Sequence, residues 1–212
     1  MSLGRASSLT PLCPDFGFSR GMPVDRYYID HFLHAHRSDI GGHVLEVGDD
    51  AYSRRFGGSR ICKQDILHVD GAAGATLSGD ISQPGVLPAR TFDCIILTQT
   101  LHLIFDMQAA VTALHEALRP GGVLLMTVPG VSSVDRGEWQ ASWYWSLTEA
   151  ALAKLLSGPF ETTETTVRSF GNLFAATAFL HGASVEDTGT KRLVPRDPAY
   201  PVVIAARARR SG

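Results

Sequence analysis

Cysteine is scarce: Cys13, Cys62 and Cys94 are the only three in 212 residues. An odd number, widely spaced and without a CxxC pair, supports neither a disulfide framework nor a zinc ribbon. Reduced thiols in a cytoplasmic protein are expected, and no metal site is. A surplus of either charge is also missing. Nineteen basic residues stand against 21 acidic ones, so a nucleic-acid partner held by bulk positive charge is not expected. Apolar runs end well short of the roughly 18–20 residues that a membrane-crossing helix needs, and the N-terminus lacks the basic flank and apolar core of a secretory signal. A soluble protein with no membrane partner is the expectation. No P-loop, GxSxG or GxGxxG is present, and His115-Glu116 has no second histidine to complete a zinc-protease pattern. These gaps disfavour phosphate-loop, serine-hydrolase, dinucleotide and zinc-protease chemistry.

What is present is ordinary globular material. Hydrophobic residues make up 44% and charged residues 19%, enough apolar content for a sizeable core in a chain of this length. Residues 1–22, rich in Ser, Gly and Pro, read as an irregular N-terminal arm. Residues 23–212 read as one domain. Pro23 opens an amphipathic helix over 24–37. Short apolar segments at 43–47, 60–67, 75–79, 92–98 and 123–128 read as strands, the last two buried on both faces. Helical patterns cover 101–118, 148–156 and 172–181. A Thr-rich strand at 161–170 and an apolar one at 201–208 close the chain. Strands alternating with helices predict an α/β fold: a Rossmann-like, mostly parallel sheet of seven strands with helices on both faces and the last strand antiparallel. Ligands of such sheets bind at the carboxyl ends of the strands, so chemistry is sought there.

The first strand ends as VLEVGDDAY (44–52), the fourth reads FDCIILTQTL (92–101), and the fifth lies in LRPGGVLLMTVPG (118–130). With acids near the second and third strand ends, these segments resemble the class I S-adenosylmethionine-dependent methyltransferases, within them the methyltransferase type 11 group. RGMPVDRYYI (20–29) and DAYSRRFGG (50–58) are similar to motifs of one subset, and the resemblance spans roughly residues 20–208. It implies S-adenosyl-L-methionine as cofactor and S-adenosyl-L-homocysteine as product. The family carries two further glycines where this chain has Asp50 and Tyr52. Asp tolerates a left-handed backbone, which would let Asp50 keep the turn, and Tyr does not; either the loop takes another path, a rebuilt loop being the favoured reading, or cofactor binding is weakened.

The resemblance implies Glu46 as a contact to the cofactor amine; the other reading is an acid that structures the loop. Gly48 lets backbone approach a ligand without a Cβ in the way. Asp65 lies 19 residues after Glu46, near the spacing of an acid that meets ribose hydroxyls, with Asp70 as the alternative should the strand run longer. Asp80 and the amide of Ile81 are expected at the adenine, though Asp80 also suits a turn cap. Arg54 or Arg55 would clamp the methionine carboxylate; Arg26 and Tyr27 are rivals for it. Thr98 opens the turn facing cofactor and acceptor, and His102 on that turn is a candidate general base. All three tryptophans fall after the fifth strand, and Trp139 and Trp143 are the candidate walls of an acceptor pocket. The expected partner is a small-molecule acceptor such as a phenol, a modified sugar or a polyketide fragment, on a monomer or homodimer. The alternative is a protein that keeps the fold and binds the cofactor without turnover.

Overall fold

Seven segments pair into one sheet: β1 (Gly42–Val47), β2 (Ile61–His68), β3 (Leu77–Ser78), β4 (Phe92–Thr98), β5 (Leu118–Pro129), β6 (Thr165–Phe170) and β7 (Val203–Arg209). This is the arrangement in a computed structural model, which describes residues 8–212; residues 1–7 of the expected arm lie outside it. The strand order is β3-β2-β1-β4-β5-β7-β6. β1 to β5 pair in parallel, and β7 is antiparallel to both neighbours. The chain moves outward through β2 and β3, then returns to the other side of β1 as β4. In open α/β sheets such a reversal marks where ligands bind, here at the carboxyl ends of β1 and β4.

Side-chain alternation sorts the core into two layers. Leu45, Ile95, Leu97, Leu124 and Met126 pack on one face against Leu114, Leu152 and Leu156. Val44, Ile96 and Leu125 pack on the other against Ile29, Leu33 and Phe179. The first layer is supplied by α3 (Met107–Ala117) and α4 (Glu149–Leu156), the second by α1 (Val24–Ala35) and α5 (Leu173–Leu180). Pro23 precedes α1 at the N-cap position, with extended backbone and no side-chain cap. Thr148 and Asn172 cap α4 and α5 through bonds from the Ala151 and Ala175 amides at 3.1 and 3.0 Å.

Several elements depart from expectation. The helix expected over 101–118 is broken into a 3-10 turn at Leu101–Leu103 and α3, because Asp106 accepts the Ala109 amide at 2.9 Å and restarts the helix there. β5 begins at Leu118, which pairs with Phe92; Pro120-Gly121-Gly122 falls within the strand as an irregularity of register. A short helix α2 (Ala51–Gly57) stands where a loop was expected, and another, α6 (Val185–Thr188), follows α5 behind a capping box at Ser184. β3 is two residues long. No helix among the described residues is long and apolar enough to cross a membrane.

Candidate functional site

At the end of β1 the chain turns through Gly48 at φ 101, and a Cβ built there would meet nothing within 4 Å. Backbone faces open space at this point. The next residues enter α2 directly. Asp49 accepts the Ala51 amide at 2.9 Å. Asp50 has φ −123, so it does not preserve a left-handed turn, and Tyr52 sits in the first helical turn with its ring stacked on Phe56, centroids 6.3 Å apart. The segment that the resemblance implies as a glycine loop is thus a helix. Glu46 holds that helix in place. It is 1% exposed, and its two carboxylate oxygens accept the Tyr52 amide at 3.1 Å and the Ser53 amide at 2.7 Å. Those are amides that an α-helix leaves without internal partners. Burial pushes the Glu46 carboxyl up to about 7 even so. The loop-structuring reading of Glu46 therefore describes this structure.

The ladder fixes what shares the carboxyl edge. Glu46 pairs with Ile66 on one side and Ile96 on the other, and His68 pairs with Ser78. Gly48, the residues after His68, the residues after Ser78, and Thr98 therefore line one rim. Asp65 is not on it. β2 runs three residues further, because Ile66 and Leu67 still pair with β1, and Asp65 stands opposite Leu45. Its carboxylate accepts from Thr76 Oγ1 at 2.8 Å and bonds His43 Nε2 at 2.5 Å. Desolvation raises its pKa, and the His43 and Thr76 bonds outweigh that and hold it below the ordinary value. The acid just past the strand end is the alternative, Asp70, which is exposed. Asp80 follows β3 on the same rim. One of its oxygens accepts the Ser82 amide and hydroxyl at 2.9 and 2.8 Å, so it caps a turn. Ile81 is 2% exposed and its side chain belongs to the core.

The expected carboxylate clamp is not assembled from Arg54 and Arg55. Arg54 pairs with Asp50 at 2.6 Å. Arg55 pairs with Asp30 at 2.7 Å and lies over the Phe56 ring. Both cations are drawn to nearby acids of α2 and α1. Tyr27, packed on His31 with ring centroids 4.1 Å apart, shares with Arg55 a cavity of about 250 Å³ between these helices, and neither Glu46, Gly48 nor Asp80 lines it. Arg26 keeps a looser partner: Asp25 is 3.9 Å away, and the guanidinium rests over Phe18.

On the β4 side the turn is strained. Gln99 has φ 46, a left-handed conformation uncommon for a residue other than glycine, held by its amide donating to the Thr127 carbonyl at 2.9 Å. Such strain gathers at functional sites. His102 follows, 1% exposed, with both ring nitrogens buried and without a hydrogen-bond partner. Burial lowers its pKa to about 4. The tryptophan segment lies against this turn: the Tyr144 and Trp145 amides donate to the His102 carbonyl at 3.2 and 3.3 Å, and the Trp143 ring stands edge-on to His102 at 4.4 Å. Trp139 is half-buried, its amide bonded to Asp135. Phe16, which no sequence pattern singled out, stacks on Trp143 at 5.9 Å and 9°. A lone aromatic residue in an irregular arm carries no periodicity to reveal it.

Residues 10–159 match a family described as a methyltransferase domain. No curated protein matches the sequence. Solved structures match by shape. An S-adenosylmethionine-dependent methyltransferase from Archaeoglobus fulgidus is 10% identical, over 87% of this chain and 94% of its own, with a TM-score of 0.57. The [4+2]-cyclase SpnF is 15% identical over 87% and 80%, TM-score 0.53. Phosphoethanolamine N-methyltransferase 2 of Haemonchus contortus, solved with S-adenosyl-L-methionine, is 14% identical over 89% and 57%, TM-score 0.54. At these identities the likeness is one of fold.

Proposed function

Because the chain belongs to the class I S-adenosylmethionine-dependent methyltransferase family, we propose that it moves a methyl group from S-adenosyl-L-methionine to a small-molecule acceptor. The observation that carries this reading is the open space before Gly48, on a rim that also holds Asp70, Asp80 and Thr98. The bound cofactor supplies an electrophilic methyl on a sulfonium, so the protein's work is positioning, with a proton acceptor where the substrate carries a proton.

In this reading Glu46 meets the cofactor amine through lone pairs left over from the two α2 amides. Asp70 takes the ribose hydroxyls in place of Asp65. Asp80 and the Ile81 amide meet the adenine, and Thr98 borders the methionine arm. Arg26, the least committed of the three arginines, holds the carboxylate, with Tyr27 beside it. His102 faces the acceptor. Burial keeps its ring unprotonated at neutral pH, the form needed to accept a hydrogen bond from a hydroxyl. Trp139 and Trp143 wall the acceptor side. The arm of residues 1–22 and a single domain over 23–212 belong to the same reading, as does a cytoplasmic location.

Calorimetry tests it. S-adenosylhomocysteine should bind and NAD should not; absence of binding at millimolar S-adenosylhomocysteine rejects the proposal. The second reading, cofactor binding without turnover, is favoured by the seal over His102. Transfer of labelled methyl to any member of a panel of hydroxylated compounds excludes it.

A further inference from the structure

Two buried ring nitrogens without partners are unusual, because a protein interior normally pairs its polar atoms with protein or water. In His102 both are in this state. A neutral imidazole has one N–H to give and one lone pair to fill. Trp143, edge-on to the His102 ring at 4.4 Å, is less anchored than Trp145. Trp145 is pinned by its indole N–H to the Ile104 carbonyl at 3.2 Å. The Trp143 indole N–H has no such bond among the described residues, and Trp143 is half-buried. Rings hold it: His102 below, and Phe16 stacked nearly parallel.

Phe16 is itself carried by a segment that rests on other elements. The Leu12 and Cys13 amides donate to the His181 carbonyl at 2.7 and 3.3 Å. Gly17 runs so close to the chain after α5 that a Cβ would stand 3.0 Å from the Ala183 carbonyl oxygen. Phe16 has φ 48, costly for an aromatic residue, and its ring also stacks on Phe179 at 6.1 Å. The arm spends strain to place one ring on Trp143.

Resting on the methyltransferase reading, we propose that the Phe16–Trp143 stack is the removable roof of the acceptor subsite, that His102 is its hydrogen-bonding floor, and that the subsite takes an uncharged ring bearing a hydroxyl. The ring follows from the roof: the indole face already accepts a parallel aromatic in Phe16. The hydroxyl follows from the floor, which offers unpartnered nitrogens. The lack of charge follows from the neutrality that burial imposes on His102, which leaves no cation there to pair with a carboxylate.

The probes are 2-naphthol, naphthalene and 2-naphthoate, titrated by tryptophan fluorescence against the full chain in the presence of S-adenosylhomocysteine. 2-Naphthol should bind about tenfold or more tightly than either of the others, since a site built around a hydroxyl rejects the analogue lacking it. His102→Phe should remove the preference for 2-naphthol over naphthalene. Phe16→Ala should tighten 2-naphthol, because the closed state no longer competes with binding, and should raise quenching of tryptophan by acrylamide. Trp143→Leu, which leaves His102 intact, should weaken all three ligands while keeping the hydroxyl preference; it serves if His102→Phe does not fold. Equal binding of naphthol and naphthalene, a preference that survives His102→Phe, a preference lost in Trp143→Leu, or weaker naphthol binding by Phe16→Ala overturns the proposal. Calorimetric binding of S-adenosylhomocysteine by the same samples separates the two claims. Intact binding without hydroxyl preference overturns the subsite alone, and absent binding overturns the functional reading beneath it.

Discussion

Replacing Glu46 by glutamine converts its raised pKa into a measurable stability difference. The side chain is 1% exposed, and burial holds the carboxyl at about 7 against an ordinary 4.5. Below pH 4.5 the folded and unfolded chains both carry it neutral. As pH rises from 4.5 to 7, the unfolded chain releases the proton while the folded chain keeps it, so stability falls; above 7 the whole penalty is present. At about 1.36 kcal/mol per pH unit, the window corresponds to about 3 kcal/mol. The glutamine has no proton to lose. Its carbonyl oxygen can still accept one of the Tyr52 and Ser53 amides, but its NH₂ opposes the other, at a pH-independent cost of about 1–3 kcal/mol. Urea unfolding at pH 5 and pH 8, with unchanged m-values, reads both parts. The advantage of wild type over Glu46→Gln should shrink by about 2–3 kcal/mol between the two pH values. Every other titrating group is common to both proteins and cancels. An advantage that is the same at both pH values refutes the argument that burial, rather than the two amide bonds, dominates this carboxyl.

Asp70→Ala should weaken S-adenosylhomocysteine binding by about 1.5–3 kcal/mol in calorimetry, the scale of a lost charged hydrogen bond. Asp65→Ala should instead lower the urea midpoint by stripping His43 of its partner, with little change in that affinity; the reverse order would return the ribose role to Asp65. Arg26→Ala should lose affinity for S-adenosylhomocysteine and not for its decarboxylated analogue, whereas Arg55→Ala should change neither. An equal loss for both ligands in Arg26→Ala removes it as the carboxylate holder. Thr148→Ala should cost about 1 kcal/mol of stability through loss of the α4 cap, with ligand binding untouched; no change in the unfolding midpoint would show that the cap contributes nothing.

The sheet was readable because its signals are local. The apolar run FDCIILT is β4 residue for residue, since a strand buried on both faces shows as unbroken hydrophobicity. α1 was readable from Val24, Tyr27, Tyr28, Phe32 and Leu33, which are all buried. Hydrophobic pattern failed where a single hydrogen bond decides the outcome. The residues from Leu101 to Leu118 have helical spacing throughout, and one capping carboxylate at Asp106 splits them. α2 was hidden for a related reason. Its seven residues, AYSRRFG, are too few for periodicity to register, and its first turn is closed by Glu46 from another element rather than by a cap of its own.

The same distinction governs the site. Gly48 stands out in the sequence as a glycine directly after a buried strand, a signal that depends on the backbone alone, and its backbone has a positive φ with open space where a Cβ would be. Asp65 stands short of the strand end because a sequence interval measures chain length, whereas the rim is defined by register. Two residues of extended strand advance the chain about 6–7 Å, so Ile66 and Leu67 suffice to leave Asp65 behind the rim, and the polar pair His43 and Thr76 gives its carboxylate a destination there. The arginines follow the same logic. Two adjacent cations beside a binding loop suggest a clamp only until their neighbours are known, and Asp30 and Asp50 take them through contacts that folding creates. A charged residue's role is thus set by the nearest opposite charge in space. Arg26, whose nearest acid stays at 3.9 Å, is the one of the three with most to gain from a ligand's carboxylate.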